Sequence, residues 1–146
     1  MIGATLLAAG LLFSTANMAQ PTLCDGAKVE ITFEKSTVYP REVVSVITTS
    51  RDRRSIALRF DGGIDLIGAE CRQSKRGKSY VVFQAYCGGS GCRDLDNYGI
   101  IDPKDLRVLL VPDDSNRLMA SRILGVRVKP VEDLLSMREA YDKLFP

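Results

Sequence analysis

Alternation of hydrophobic and polar residues along the chain predicts a series of short β-strands. Residues 28–33 alternate apolar and polar side chains, which is the period of a half-buried strand. The same reasoning predicts strands at residues 43–49, 55–60, 64–69, 79–86, 98–101 and 106–111. Residues 102–105, with Pro103 in second place, predict a type I turn and therefore a hairpin between the last two strands.

The hydrophobic period changes to that of helices near the end of the chain. Apolar residues from 118 to 124 fall on one helical face, with Asp114 and Ser115 as candidate N-caps and Gly125 as the terminator. A second helix is predicted to begin near Pro130. Strands followed by helices predict an α+β fold, with an antiparallel sheet of five or six strands and two C-terminal helices packed on one face.

The first residues have the features of a secretory signal. Residues 2–19 carry no charge, include a leucine-rich core and end in small residues. We expect a signal peptide over residues 1–19, cleaved after Ala16 or Ala19, and a single disulfide-bonded domain over residues 20–146. The alternatives are a buried helix or a retained anchor. With cleavage, the mature protein has no stable membrane span and is periplasmic or secreted from a bacterium.

Four cysteines, Cys24, Cys71, Cys87 and Cys92, support export, because disulfides persist in oxidising compartments. Cys87 and Cys92 are close enough in sequence to bridge locally, which leaves Cys24 to pair with Cys71. A zinc site is the competing interpretation, but one C-x4-C pair without a second close pair has the wrong spacing.

Composition removes several function classes. The chain contains no histidine, which excludes His-based general bases, Ser–His–Asp and Cys–His nucleophiles, and His-ligated zinc or haem. The 20 Lys and Arg residues against 18 Asp and Glu residues give a net charge of +2, which indicates no nucleic-acid partner. Carboxylates are numerous, but their spacing singles out no acid–base pair. We therefore predict no catalytic residue, no metal and no cofactor.

The segment between Cys87 and Cys92 is the candidate partner-binding loop. Its residues Gly88, Gly89, Ser90 and Gly91 present almost only backbone. A disulfide across such a loop would pre-organise it for insertion into a partner's cleft and reduce the entropy lost on binding. The alternative is a tight turn that the disulfide merely staples.

Two basic clusters form a candidate steering patch for an acidic partner or an anionic envelope polymer. The clusters are Arg51, Arg53 and Arg54, and then Arg72, Lys75 and Arg76. Both fall between predicted strands, so the alternative is that they are solvated loops that protect strand edges.

Residues 79–110 resemble a pattern in small exported bacterial proteins. A Tyr-containing strand at residues 80–82 leads into the Cys87–Cys92 loop, followed by a strand ending in Ile-Asp at residues 98–102 and an aliphatic strand at 108–110. The best understood proteins of this type are the Ivy-type periplasmic lysozyme inhibitors. The resemblance implies an α+β protein whose C-x4-C loop enters a lysozyme active site. The Ivy loop carries a histidine between its cysteines, and this loop does not.

These observations predict an exported, non-enzymatic protein that binds another protein in the cell envelope or outside the cell. An enzyme inhibitor or an immunity-type protein fits this description. The alternatives are an extracytoplasmic enzyme that works through carboxylates, and an accessory envelope domain without an inhibitory role.

Overall fold

Two antiparallel β-sheets pack face to face, accompanied by two short helices. The computed structural model describes residues 15–17, 19–61, 63–88, 97–113 and 115–146. The strands are β1 (Thr15–Asn17), β2 (Thr22–Cys24), β3 (Ala27–Lys35), β4 (Val43–Arg51), β5 (Arg54–Asp61), β6 (Leu66–Gln73), β7 (Ser79–Tyr86), β8 (Gly99–Asp102), β9 (Arg107–Leu110) and β10 (Leu135–Ser136). The helices are α1 (Arg117–Leu124) and α2 (Met137–Leu144).

The N-terminal sheet contains β1 to β5. Strands β3, β4 and β5 are neighbours in that order, and β1 and β2 share the other edge of β3. The register places Ile31 beside Ile47, and Ile47 beside Leu58. Because side chains alternate between the two faces of a strand, these pairs give the sheet one continuous apolar face.

The C-terminal sheet has the strand order β10-β6-β7-β8-β9, and every pairing is antiparallel. Strand β7 lies at its centre, with Val81, Phe83 and Ala85 on the face that joins the core. The opposite face carries Val82 and Gln84, which are also buried. Both faces of this sheet are therefore covered.

The core lies between the two sheets. Phe33 and Ile47 from the first sheet and Phe83 from the second belong to one fully buried cluster. A disulfide between Cys24 in β2 and Cys71 in β6 ties the sheets together, with the two Cα atoms 5.2 Å apart. The predicted Cys24–Cys71 pairing is confirmed.

The α+β class is confirmed, but two sheets replace the one that the sequence predicted. Helices of eight residues are only about 12 Å long and cannot cover the apolar face of a wide sheet. The two sheets therefore cover each other.

The helices do not share one face, which differs from the prediction. Helix α1 lies over the outer face of the C-terminal sheet, where Ala120 and Leu124 pack with Val82. Helix α2 inserts Ala140 and Leu144 into the core between the sheets. Helix α1 therefore covers the outer face of the C-terminal sheet, and α2 covers part of the core between the two sheets.

The second helix begins at Met137 rather than near Pro130. The residues before it cross the outer face of β6 in irregular conformation, because side chains of the sheet bind their backbone. Gln84 accepts a hydrogen bond from Val131 N–H at 2.8 Å, and Glu70 accepts one from Glu132 N–H at 2.6 Å. These hydrogen bonds direct the backbone N–H groups of Val131 and Glu132 toward the sheet. In a helix beginning near Pro130 the same groups would point along the helix axis.

Strand β1 lies within the segment that the sequence predicts to be cleaved as a signal peptide. Its residues pair with Thr32, Phe33 and Glu34 of β3. The rest of that segment, apart from residue 19, lies outside the described residues. Across the described part of the chain, neither helix has the length and apolar character needed to cross a bilayer.

Candidate functional site

The candidate binding loop leaves the C-terminal sheet at the end of β7. Cys87 is disulfide-bonded, and the N–H of the exposed Gly88 donates a hydrogen bond to Asp65 Oδ2 at 2.8 Å. Asp65 is itself held, since its carbonyl accepts from Met137 N–H at 2.9 Å. The first residues of the loop are therefore fixed to the start of β6 and to α2.

The chain re-enters the sheet at two buried residues. Asn97 is 8% exposed and Tyr98 is fully buried. The side chain of Asn116 binds both backbone groups of Tyr98, since its Oδ1 accepts a hydrogen bond from Tyr98 N–H at 2.8 Å and its Nδ2 donates one to the Tyr98 carbonyl at 2.6 Å. The same Nδ2 donates to the carbonyl of Val111 at 2.7 Å. One amide side chain thus joins the loop end, the end of β9 and the start of α1.

The remaining predicted loop residues, Gly89, Ser90, Gly91 and Cys92, lie outside the described residues. The predicted Cys87–Cys92 pairing and the conformation of the loop therefore stay predictions. The described residues on either side of this segment, Gly88 and Tyr98, are both anchored to the fold.

A second exposed element lies at the same end of the molecule. The turn between β3 and β4 presents Val38, which is 73% exposed, and Tyr39, which is 60% exposed. The hydroxyl of Ser36 accepts hydrogen bonds from the backbone amides of both residues. Strand β5 ends beside this turn, and β6 begins five residues later, next to the base of the loop. The turn and the loop therefore form one end of the protein.

The first basic cluster lies at the opposite end, in the β4–β5 turn. Arg51 donates a hydrogen bond to the carbonyl of Asp25, the residue after the disulfide-bonded Cys24. Arg53 and Arg54 are exposed. Arg51 thus fixes one turn to another, while its two neighbours are available to solvent.

The second basic cluster divides in the same way. Arg72 is committed to the fold, since its guanidinium binds Glu70 Oε2 at 2.6 Å and donates to the carbonyls of Lys129 and Pro130. Lys75 and Arg76 lie exposed in the β6–β7 turn, four and five residues beyond Cys71. Both clusters are therefore close to the Cys24–Cys71 bond. Arg51 and Arg72 bind backbone carbonyls, whereas the side chains of the other four predicted residues are exposed.

A groove beside β6 is the large concave feature among the described residues, with a volume of about 940 Å³. Its apolar lining includes Val29, Ile31 and Leu135, and its charged lining includes Arg127, Lys129, Glu132 and Asp133. The groove is not predictable from the sequence, because its walls come from strands and loops that are far apart in the chain.

One ionisable pair is perturbed. Lys78 Nζ lies 2.5 Å from Asp102 Oδ2 and 5.2 Å from the centre of the Tyr80 ring. Burial opposes the ionisation of Asp102, but hydrogen bonds from Lys78 and from Lys104 N–H, with the charges of Lys78 and Arg107, outweigh it and lower its pKa. The Asp102 hydrogen bond raises the pKa of Lys78. The pair joins β7 to β8 at the hairpin and has a structural role.

Within the described residues, no group of three or more Cys, Asp or Glu side chains is arranged to hold a metal ion. No protein-family model matches the chain, and comparisons with curated proteins and with solved structures find no significant match. The function is therefore argued from the residues themselves.

Proposed function

We propose that this protein is exported to the periplasm or secreted from a bacterial cell, and that it acts there by binding another protein without catalysing a reaction. The contact surface is the loop from Cys87 to Cys92. Inhibition of an enzyme is the form of binding that suits such a loop best, because a narrow loop fits a concave active site.

The anchoring of the loop is the observation that carries the proposal. The loop starts at a disulfide-bonded Cys87 and a hydrogen-bonded Gly88, and the segment that contains it returns to the sheet at Tyr98, which Asn116 holds on both backbone groups. A segment with fixed ends loses less conformational entropy when a partner orders it. Small residues within it let a partner approach the backbone closely.

The neighbouring β3–β4 turn extends the contact surface. Tyr39 is a large side chain that is 60% exposed. Tyrosine is enriched among residues that dominate binding energy, since it buries a large area and keeps a polar group. Val38 and Tyr39 would contact the rim of the partner's cleft that receives the loop.

The environment of Asp102 argues against a catalytic role for this carboxylate. A general acid needs a raised pKa, whereas the pKa of Asp102 is lowered. Asp102 is also only 3% exposed and is bonded to Lys78. It is therefore unsuited to transfer a proton to a substrate.

The cross-sheet disulfide supports export. Cys24 and Cys71 join the two sheets covalently, and such bonds persist in oxidising compartments. The bond would be lost in the reducing cytosol, together with its contribution to stability.

Capture from bacterial envelope extract tests the proposal. The protein is immobilised, retained proteins are identified by mass spectrometry, and the strongest one is purified for titration. Ser90→Arg should weaken binding of that partner at least tenfold while the melting temperature stays within about 2 °C, as for most surface substitutions. Tyr39→Ala should weaken binding by a smaller factor.

Ser55→Arg is the matched control, because Ser55 is exposed near the start of β5, at the opposite end of the fold. Unchanged binding by Ser90→Arg would reject the loop as the contact. If Ser55→Arg alone alters binding, the surface around Arg53 and Arg54 carries the contact instead. Hydrolysis of cell-wall polymer by the purified protein would reject the non-enzymatic proposal.

A further inference from the structure

Strand β6 has an unpaired edge in the middle of its length. On one side it pairs with β7 throughout, from Leu66 to Gln73. On the other side β10 pairs only with Leu66 and Ile67. Among the described residues, no strand pairs with the remaining part of this edge, residues 69–73, which we call the open edge.

The hydrogen-bond pattern shows which backbone groups face the open edge. Ser74 N–H bonds to the carbonyl of Lys78 across the hairpin, so even-numbered residues of β6 face β7. The carbonyl of Asp65 and the N–H of Lys75 point the other way, and they bond to Met137 N–H and to the carbonyl of Leu124. Odd-numbered residues therefore face outward.

Within the part of the chain that the structure describes, other segments thus occupy both ends of this edge and leave its centre open. The outward-facing residues in the open edge are Ala69, Cys71 and Gln73, which together present three N–H and three C=O groups. The space between Ile67 and Lys75 spans eight residue steps, or about 26 Å. This length accommodates an added strand of roughly seven residues.

The groove of about 940 Å³ lies along the open edge. On the core side its accessible apolar lining includes the half-buried Ile31 and Leu135, and on the other side it includes Val126, which is 45% exposed. Alternate side chains of an added strand would point to these two walls. The groove therefore provides apolar contacts on both faces of such a strand.

The charges along the groove are ordered. The segment from Leu124 to Leu135 runs antiparallel to β6, as its bonds to Lys75 and its pairing with Ile67 show. The exposed Arg127 and Lys129 lie near the Gln73 end, and the exposed Glu132 and Asp133 lie near the Gly68 end. One end of the groove is positive and the other is negative.

We propose that the open edge binds an extended segment of a partner protein as an added antiparallel β-strand. The segment has alternating apolar residues, an acidic residue near its amino end and a basic residue near its carboxyl end. Backbone hydrogen bonds to the outward-facing residues supply affinity, and the ordered charges of the groove set direction and register. The proposal is independent of the Cys87–Cys92 loop, which lies at the other end of β6.

Blocked seven-residue peptides test the proposal. The first alternates valine and threonine between an acidic first residue and a basic last residue, and the second has the two charged residues exchanged. In titration calorimetry the first peptide should bind at least tenfold more tightly than the second. A version of the first peptide with N-methylated amides on its bonding edge should not bind, because it cannot pair with β6. Amide-exchange NMR should show protection of Ala69, Cys71 and Gln73 on binding.

The double variant Arg127→Glu/Lys129→Glu makes both ends of the groove negative and should abolish the preference between the two peptides. Arg53→Glu/Arg54→Glu is the matched control and should keep it. Equal binding of the two peptides by the wild-type protein would overturn the charge ordering. If neither peptide binds, or if the protected amides lie in other strands, the open edge is rejected as the binding site. A dimer in sedimentation velocity with the same three amides protected would assign the edge to a second copy of this chain and reject the proposal.

Discussion

Gly99 is expected to be one of the least replaceable residues in the fold. It pairs directly with Phe83 across β7 and β8, and the Phe83 ring lies over it. A Cβ atom at residue 99 would lie under 3.0 Å from three atoms of that ring, a separation that real Cβ contacts essentially never show. The ring cannot move away easily, because Phe83 is fully buried and its ring centre lies 6.2 Å from that of Phe60.

The expected cost of Gly99→Ala follows from this geometry. Overpacking a core typically costs about 1–3 kcal/mol, and a methyl group that overlaps a buried ring belongs at the upper end of that range. A loss of about 3 kcal/mol in the free energy of unfolding corresponds to a fall of about 10 °C in melting temperature for a chain of this size. Calorimetry and urea unfolding measure both quantities.

A double-mutant cycle tests the cause. Phe83→Leu removes the outer ring atoms, so the variant with both substitutions should be at least about 1 kcal/mol more stable than the sum of the single effects predicts. Gly77→Ala is the control, because Gly77 has a φ of +84° but nothing within 4 Å of an added Cβ. Strict additivity, or a cost no larger than that of Gly77→Ala, would refute the steric explanation.

Two further predictions concern the bonds that join strands. Replacing both Cys24 and Cys71 by serine should lower the free energy of unfolding by about 4 kcal/mol, because the bond closes a sequence separation of 47 residues; urea unfolding of the variant measures this. Asp102→Asn should destabilise the protein at neutral pH. Since the pKa of Asp102 is lowered in the fold, its stabilising effect is present above its ordinary pKa of about 4 and disappears as the pH falls through the lowered value. The stability difference between wild type and variant should therefore shrink in acid and, through the raised pKa of Lys78, again at alkaline pH above about 10; an equal difference at every pH would contradict this explanation.

The positions of the strands could be predicted from the sequence because alternation is a local property. The prediction for residues 79–86 coincides with β7, and that for residues 43–49 falls within β4. The separation into two sheets could not be predicted in this way. It depends on which strand edges meet, and no alternation pattern encodes the break in pairing between β5 and β6.

The errors near the two helices have a common physical origin. Pro130 is a good first residue of a helix, but Arg72 and Glu70 bind the backbone around it and hold it in another conformation. Asp114 and Ser115 were the predicted N-caps of α1, yet the residue before the helix is Asn116, whose side chain binds Tyr98 instead of capping. In both places, hydrogen bonds with a strand that is distant in the sequence override the local preference for a helix or its cap.

The candidate site was predictable only in its outline. The glycine-rich segment after β7 is visible in the sequence, whereas its anchors Asp65 and Asn116 are 22 and 29 residues from Cys87. The groove depends on the open edge of β6 and on the direction of the segment that crosses it. Neither is a property of a single stretch of residues.

The place of helix α2 has a consequence for the order in which the protein is made. The N-terminal sheet can form all its hydrogen bonds once residue 61 has left the ribosome. Its apolar face, with Phe33 and Ile47, nevertheless stays uncovered until the second sheet arrives and Ala140 and Leu144 close the core. Residues 137–146 are therefore needed to complete the core to which the N-terminal sheet contributes one face.

A nascent chain stalled before Met137 would hold two sheets with an incompletely covered apolar core, a state that favours aggregation. If the protein crosses a membrane in unfolded form, as the proposed export requires, this state is avoided, since folding then starts after residues 137–146 have been made.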